Sequence, residues 1–248
     1  MTGHAKQDYA HIARQLGVTS NTRLATALIE VLDIVPGSTV VDLGCGAGGD
    51  AAIIATRTGA RVVGVDISLD MVSLIRPPVE AIQADACSTP LMDGFASSSY
   101  SVNLIQLLAD RCALFVEAER ILRPGGRFAI SITNRRQLRD RFLNRFFPGL
   151  FDIEQQRYPK VPSLFRELRA AGFTSVRCHR LDLGSFTVDQ QYLHRQRSGI
   201  VSGLSLLSEE AREQGLRRLE KFVRSTRSDG RLHVVPWIRT LVVATKGQ

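Results

Sequence analysis

Three carboxylates in the first 85 residues of this chain, Asp42, Asp66 and Asp85, each close an apolar run, and the first is followed two residues later by glycine. Residues 40–50 read VVDLGCGAGGD, with Gly44, Gly46, Gly48 and Gly49 inside six positions. That pattern describes a strand running into a turn too tight for side chains, then the start of a helix. Glycine is needed where backbone takes positive φ or lies against a ligand. The unpaired N–H groups of a new helix then attract an anionic group. Gly44, Gly46 and Gly49 also satisfy G-x-G-x-x-G, so the run by itself is compatible with a dinucleotide site.

Asp42 separates the two readings. A carboxylate two residues before the first glycine repels a pyrophosphate but suits a ligand that carries an ammonium and a sulfonium. S-adenosylmethionine (SAM) carries both, together with a carboxylate for the helix N-terminus. The second acid, Asp66, ends the run RVVGVDIS about 20 residues past the turn, where a nucleotide-binding βαβ unit places an acceptor for ribose hydroxyls. The third, Asp85, follows the run at 79–84. It is placed to accept from an exocyclic adenine amine, with the Ala86 N–H for a ring nitrogen.

Together these segments resemble the class I SAM-dependent methyltransferases, and within them the small-molecule group of the ubiquinone and menaquinone biosynthesis enzymes. The matching residues are VVDLGCGAGGD, VVGVDIS, QADA at 83–86 and ILRPGGRFAIS at 121–131. The resemblance spans residues 40–133. It implies SAM as cofactor and no metal, with Asp42, Gly44, Gly46, Asp66, Ile67, Asp85, Ala86 and Gln106 as the cofactor set. It also implies that segments inserted after the fifth and sixth strands cap the substrate. The family usually places an acid after the aromatic that opens its fourth strand. Here Tyr100 is followed by Ser101.

The elements that must hold these residues alternate helix with strand, which argues for an α/β fold with a mainly parallel sheet and helices on both faces. Strands are expected at 39–43, 61–66, 79–84, 100–106 and 127–133. Later strands at 175–183 and 239–245 complete seven, the last pairing antiparallel. Helices are expected at 8–17 and at 21–32, the second capped by Asn or Thr. A further helix over 208–224 places Leu216, Leu219, Phe222 and Val223 on one face. The expected organisation is one methyltransferase domain over 1–248, with an N-terminal helical lid at 1–35 and a SAM-binding core at 36–133. Substrate-cap insertions are expected at 134–162 and 184–237.

Composition is that of a globular chain: 248 residues, 44% hydrophobic, with a net charge of +8. No apolar stretch approaches the roughly 20 residues that span a bilayer. The N-terminal sequence lacks the apolar core of a signal peptide. Cys45, Cys87, Cys112 and Cys178 are scattered, as reduced thiols of a cytoplasmic protein would be. Charge divides unevenly: 8 Lys/Arg against 13 Asp/Glu through Leu122, and 24 against 11 from Arg123 onward. A basic half is compatible with RNA or with an anionic substrate. The half has no recognisable RNA-binding module.

Methyl transfer from a sulfonium is mostly placement, because the electrophile is already activated. Where the acceptor is a hydroxyl or an acidic carbon, a general base helps. Tyr9 and His11 on the N-terminal helix and His194 on the cap are the candidates, and with Tyr192 they are expected to face a cavity beside Gln106 and Asn134. His179 falls inside an alternating strand and reads as structural. The expected function is methyl transfer from SAM to O, N or C of a small-molecule acceptor. An RNA methyltransferase, and a SAM-binding protein of this fold with a non-methylating role, are the alternatives.

Overall fold

The computed structural model describes residues 20–228, 230 and 232–248. The expected helix at 8–17 lies outside them, and with it Tyr9 and His11. Helix α1 (Thr22–Leu32) begins where Asn21 turns extended and its side chain accepts from Leu24 N. That is the N-cap the sequence offers. It buries Leu24, Ala25, Leu28 and Leu32, a helical stripe, on the sheet.

Strands β1 (Thr39–Leu43) and β2 (Arg61–Asp66) flank helix α2 (Gly49–Thr58). A four-residue helix α3 (Leu69–Val72) leads to β3 (Val79–Gln83). Strand β4 (Ala96–Val102) is followed by α4 (Arg111–Ile121) and β5 (Leu122–Ile132). Helices α5 (Arg135–Arg139), α6 (Leu150–Arg157) and α7 (Val161–Ala170) precede β6 (Phe173–Thr187). Helices α8 (Gln190–Arg197) and α9 (Glu209–Ser228) then lead to β7 (Val234–Lys246).

The seven strands form one sheet in the order β3-β2-β1-β4-β5-β7-β6. Strands β1 to β5 pair parallel, and β7 runs antiparallel between β5 and β6. Consecutive residues face opposite sides, as strand geometry requires. Val41, Leu43 and Ile130 join a core with α4 and α7, while Val40, Ala129 and Leu241 join another with α1 and α2. The central strands are therefore buried on both faces, as parallel strands are.

The fourth strand departs from its expected place. It covers Ala96–Val102 rather than 100–106, and Tyr100 sits well inside it. The sequence ASSSYSV has a single branched apolar residue, Val102, at its end, yet Ser98, Ser99 and Ser101 are buried between β1 and β5. Two serines tie β4 to β1, Ser97 donating to Thr39 O and Ser101 to Leu43 O, each at 2.8 Å. Asn103 then turns left-handed at φ 57° and ends the strand.

Strands β6 and β7 outrun the rest. The β5–β7 ladder stops at Ile132 opposite Thr240, but β6 and β7 go on pairing to Thr187 opposite Val234. Because β6 runs with β5, this two-stranded tongue projects beyond the carboxyl ends of the parallel strands. A third apolar cluster packs around it. Phe142, Phe146, Phe147 and Leu150 meet Val188, Leu193, Leu216, Leu219 and Val223 there. Phe222 packs on the same cluster, so the α9 face expected from the sequence is the docked one. Segments 134–157 and 188–228 thus share one small core at the carboxyl edge.

Candidate active site

The glycine turn is fastened to the neighbouring strand. Gly44 N and Cys45 N both donate to Val65 O, at 2.8 and 3.0 Å. Gly46 N donates to Asp66 Oδ2 at 2.8 Å, and Ser68 N donates to Asp66 Oδ1 at 2.9 Å. Asp66 thereby holds both the turn and its own strand end. Each of its oxygens keeps a second lone pair for a ligand hydroxyl.

Gly46 carries the test of whether a nucleotide fits. Its φ is +54°, a conformation that L side chains rarely adopt, and a Cβ built there meets nothing nearer than Met71 Cε at 4.0 Å. The space over the turn is open. Below the turn, Gly44 is confined, since its Cβ would approach Leu104 Cδ2 to 2.8 Å. The first N–H groups of α2 have no partner within the helix and face the same side as any helix start. Exposed Ile67 and Leu69 stand beside Asp66, an apolar shelf of the kind a base covers. These features fit SAM.

Acidic groups crowd the turn. Asp42 is buried, and burial pushes its carboxyl well above the carboxylate range, with Asp50 and Asp66 adding to the rise. The Tyr100 hydroxyl opposes it from a separation beyond a formed hydrogen bond. Asp50, the second residue of α2, is likewise raised to about 6 by burial, against the Asn21 N–H and the charge of Arg239. Asn21 N donates to Asp50 Oδ1 at 2.9 Å, which joins α1 to α2 at the mouth of the site. Three carboxyls crowded at one turn are relieved by a cationic ligand, the chemistry expected from Asp42.

Asp85 is exposed in the turn after β3 and accepts from Cys87 N at 2.8 Å. Ala86 is buried in the core below. Gln106 is buried beyond the end of β4, where its Nε2 donates to Asn103 O at 2.7 Å. Its Oε1 is buried without a partner. Ser101, where the family's acid would stand, is the residue bonded to Leu43 O.

The methyltransferase-domain family matches residues 41–130, the segment that carries this turn and all three acids. Residues 41–130 are therefore similar to a methyltransferase domain. The trans-aconitate 2-methyltransferase of Azoarcus sp. is 38% identical over 136 residues, which are 52% of this chain and 52% of that protein. The chain spans about half or less of the length of the curated relatives it matches. Among solved structures, a protein of an antibiotic biosynthesis pathway in Anabaena variabilis superposes with a TM-score of 0.72 at 20% identity. That superposition covers 91% of this chain and 98% of the other. The cyclase SpnF has the same fold at a TM-score of 0.58 and 18% identity, over 91% of this chain and 80% of its own. The sheet order and the antiparallel seventh strand agree with this fold.

Outside the matched segment, the side chains expected to face an acceptor cavity are placed differently. Asn134 does not present a free amide, because it builds a capping box with Gln137 at the start of α5 and donates to Thr240 Oγ1 at 2.8 Å. Tyr192 is stacked on Phe186, centroids 5.0 Å apart, and meets the edge of Phe142. Burial raises its hydroxyl above the ordinary tyrosine range. His194 is exposed on α8, on the side away from buried Leu193. His179 pairs with Leu241 inside β6, an exposed ladder position.

One site residue escaped the sequence reading. Arg239, on β7, is buried and donates to Thr133 Oγ1 at 2.9 Å, Asn103 Oδ1 at 2.5 Å and Ser131 O at 3.0 Å. A single charge inside the apolar run VVPWIRTLVV was the available signal. No helix among the described residues is long and apolar enough to cross a membrane.

Proposed function

We propose that this chain binds SAM over the glycine turn and transfers its methyl group to a small-molecule acceptor held under the cap at 134–162 and 184–237. The observation that carries the reading is the open space over Gly46 with Asp66 bonded beneath it. SAM supplies an activated methyl, and the chain's own residues supply placement. In this reading Asp66 addresses the ribose, Asp85 and Ala86 the adenine, Ile67 the base face, and the α2 N-terminus the carboxylate. Asp42 and Asp50 face the cationic end. The ends of β4 and β5, with Gln106, then border the transferred methyl.

The small-molecule acceptor is supported by the relative that acts on trans-aconitate and by the apolar cap, which closes one side of the strand ends. A general base, where the acceptor needs one, is proposed from Tyr9, His11 or His194. A base contributes about 10²–10⁴-fold. His194 would have to turn inward to act, so H194A is expected to leave turnover within about tenfold of wild type, below that range.

Transfer of label from methyl-labelled SAM to a panel of small metabolites, with total RNA as a parallel arm, tests the proposal. Product in the small-molecule arm supports it. Label entering only RNA overturns the acceptor class. Cofactor binding with no label transferred in either arm assigns the chain the non-methylating role that the fold also serves.

A further inference from the structure

Arg239 poses a charge problem that the cofactor site does not solve. It lies one residue beyond the last β5–β7 pair, at the carboxyl edge where the tongue leaves the sheet. Its guanidinium is buried against neutral acceptors, namely Asn103 Oδ1, Thr133 Oγ1 and Ser131 O, drawn from the ends of β4 and β5. Among the described residues, no carboxylate lies within ion-pair distance of it. The half-buried guanidinium of Arg141, by contrast, is paired with buried Glu154. Removing a charge from water without a counter-charge is unfavourable, and buried charges are ordinarily paired. Burial lowers the Arg239 guanidinium to about 10, with Arg141 adding to the fall and Tyr158 and Asp50 opposing it only through space.

Donor accounting points the same way. A guanidinium has five N–H groups, and three are used. Among the described residues Nε–H and one Nη1–H remain, each able to donate to an oxyanion oxygen. Asn103 links this arginine to Gln106, because its backbone oxygen accepts from Gln106 Nε2. Gln106 Oε1 is left without a partner at the same strand end. A cation lacking an anion and an acceptor lacking a donor therefore share one residue, next to where the methyl must be delivered.

We propose that the acceptor carries an oxyanion, a carboxylate or a phosphate, which docks on Arg239, and a hydrogen-bond donor that addresses Gln106 Oε1. The inference rests on the methyl-transfer reading and narrows its substrate class to anionic small molecules. Arg239 positions the acceptor and takes no part in bond making.

The test uses the full chain saturated with S-adenosylhomocysteine, the demethylated cofactor product. Succinate and inorganic phosphate are titrated as separate probes against succinamide at matched ionic strength, with binding followed by calorimetry and by melting temperature. Succinate or phosphate is expected to bind and raise the melting temperature, and succinamide to do neither. The tighter of the two probes identifies the oxyanion. R239Q is expected to lose at least about tenfold in that affinity, as for a lost bond to a charged group, with R239K intermediate and affinity for the cofactor product unchanged. Equal stabilisation of the wild type by succinamide overturns the inference without any variant, should R239Q not fold. So does unchanged probe affinity in folded R239Q. Loss of cofactor-product affinity in R239Q reassigns the arginine to the cofactor and also overturns it. Failure of the wild type to bind the cofactor product overturns the methyl-transfer reading instead.

Discussion

At the scale of the residue, the site is a crowd of acids waiting for a cation. Asp50 shows the consequence most directly. Its folded pKa, raised to about 6 from an ordinary 3.8, means that the folded chain holds this proton more tightly than the unfolded chain. Stability from the protonated form is present below about pH 4 and is lost as pH rises through about 6. Melting temperatures across that window should fall more steeply for the wild type than for D50N, and equal slopes would contradict the burial of this carboxyl. The adenine assignment has its own comparison. Asp93 is an exposed partner of Arg120, and such surface pairs contribute little. D85N should therefore lose more affinity for the cofactor product than D93N, as read by calorimetry. Equal affinities would remove Asp85 from the site.

At the scale of the element, legibility followed how each strand is buried. Strands β1 and β2 lie at the expected positions because VVDL and RVVGVD are β-branched runs between turns. Strand β4 was displaced because its burial depends on small serines between two neighbours, which no hydrophobic pattern reveals. Strands β6 and β7 were expected too short because their outer halves pair only with each other and pack on the cap. Arg239 stayed hidden for a related reason. Its partners come from the ends of two other strands, and only the fold brings them together. Helix α9 was legible from its stripe, and its docking leads to a prediction of unusual sign. Glycine to alanine in an exposed helix is stabilising by up to about 1 kcal/mol. At Gly215, however, a Cβ would overlap the Phe147 ring, closer than any ordinary van der Waals contact. G215A should destabilise by about 1–3 kcal/mol, as overpacking does, measured by urea denaturation. A stabilised variant would mean that α9 does not rest on Phe147.

At the scale of the whole molecule, the parallel strands provide a rigid cofactor half and the cap a separate small core over their carboxyl ends. Open α/β sheets bind ligands at that edge. Segments that admit a ligand are drawn from the less stable parts of a fold. Exchange at residues 5–17 and 186–205 should slow when the cofactor product binds, and unchanged exchange in both segments would show that they are not a lid. The acceptor was the least legible feature from sequence, since the cap residues that would meet it are packed by tertiary contacts, Tyr192 against Phe186 and Phe142 above all.

The central claim is that a SAM-shaped ligand lies on the turn at Gly46. Calorimetry of the wild type and G46V with S-adenosylhomocysteine tests it most directly, because valine there is both strained at positive φ and directed into the open space. The wild type should bind and G46V should not, with both chains folded. Unchanged affinity in G46V, or tight binding of NADH in place of the cofactor product, would contradict the account.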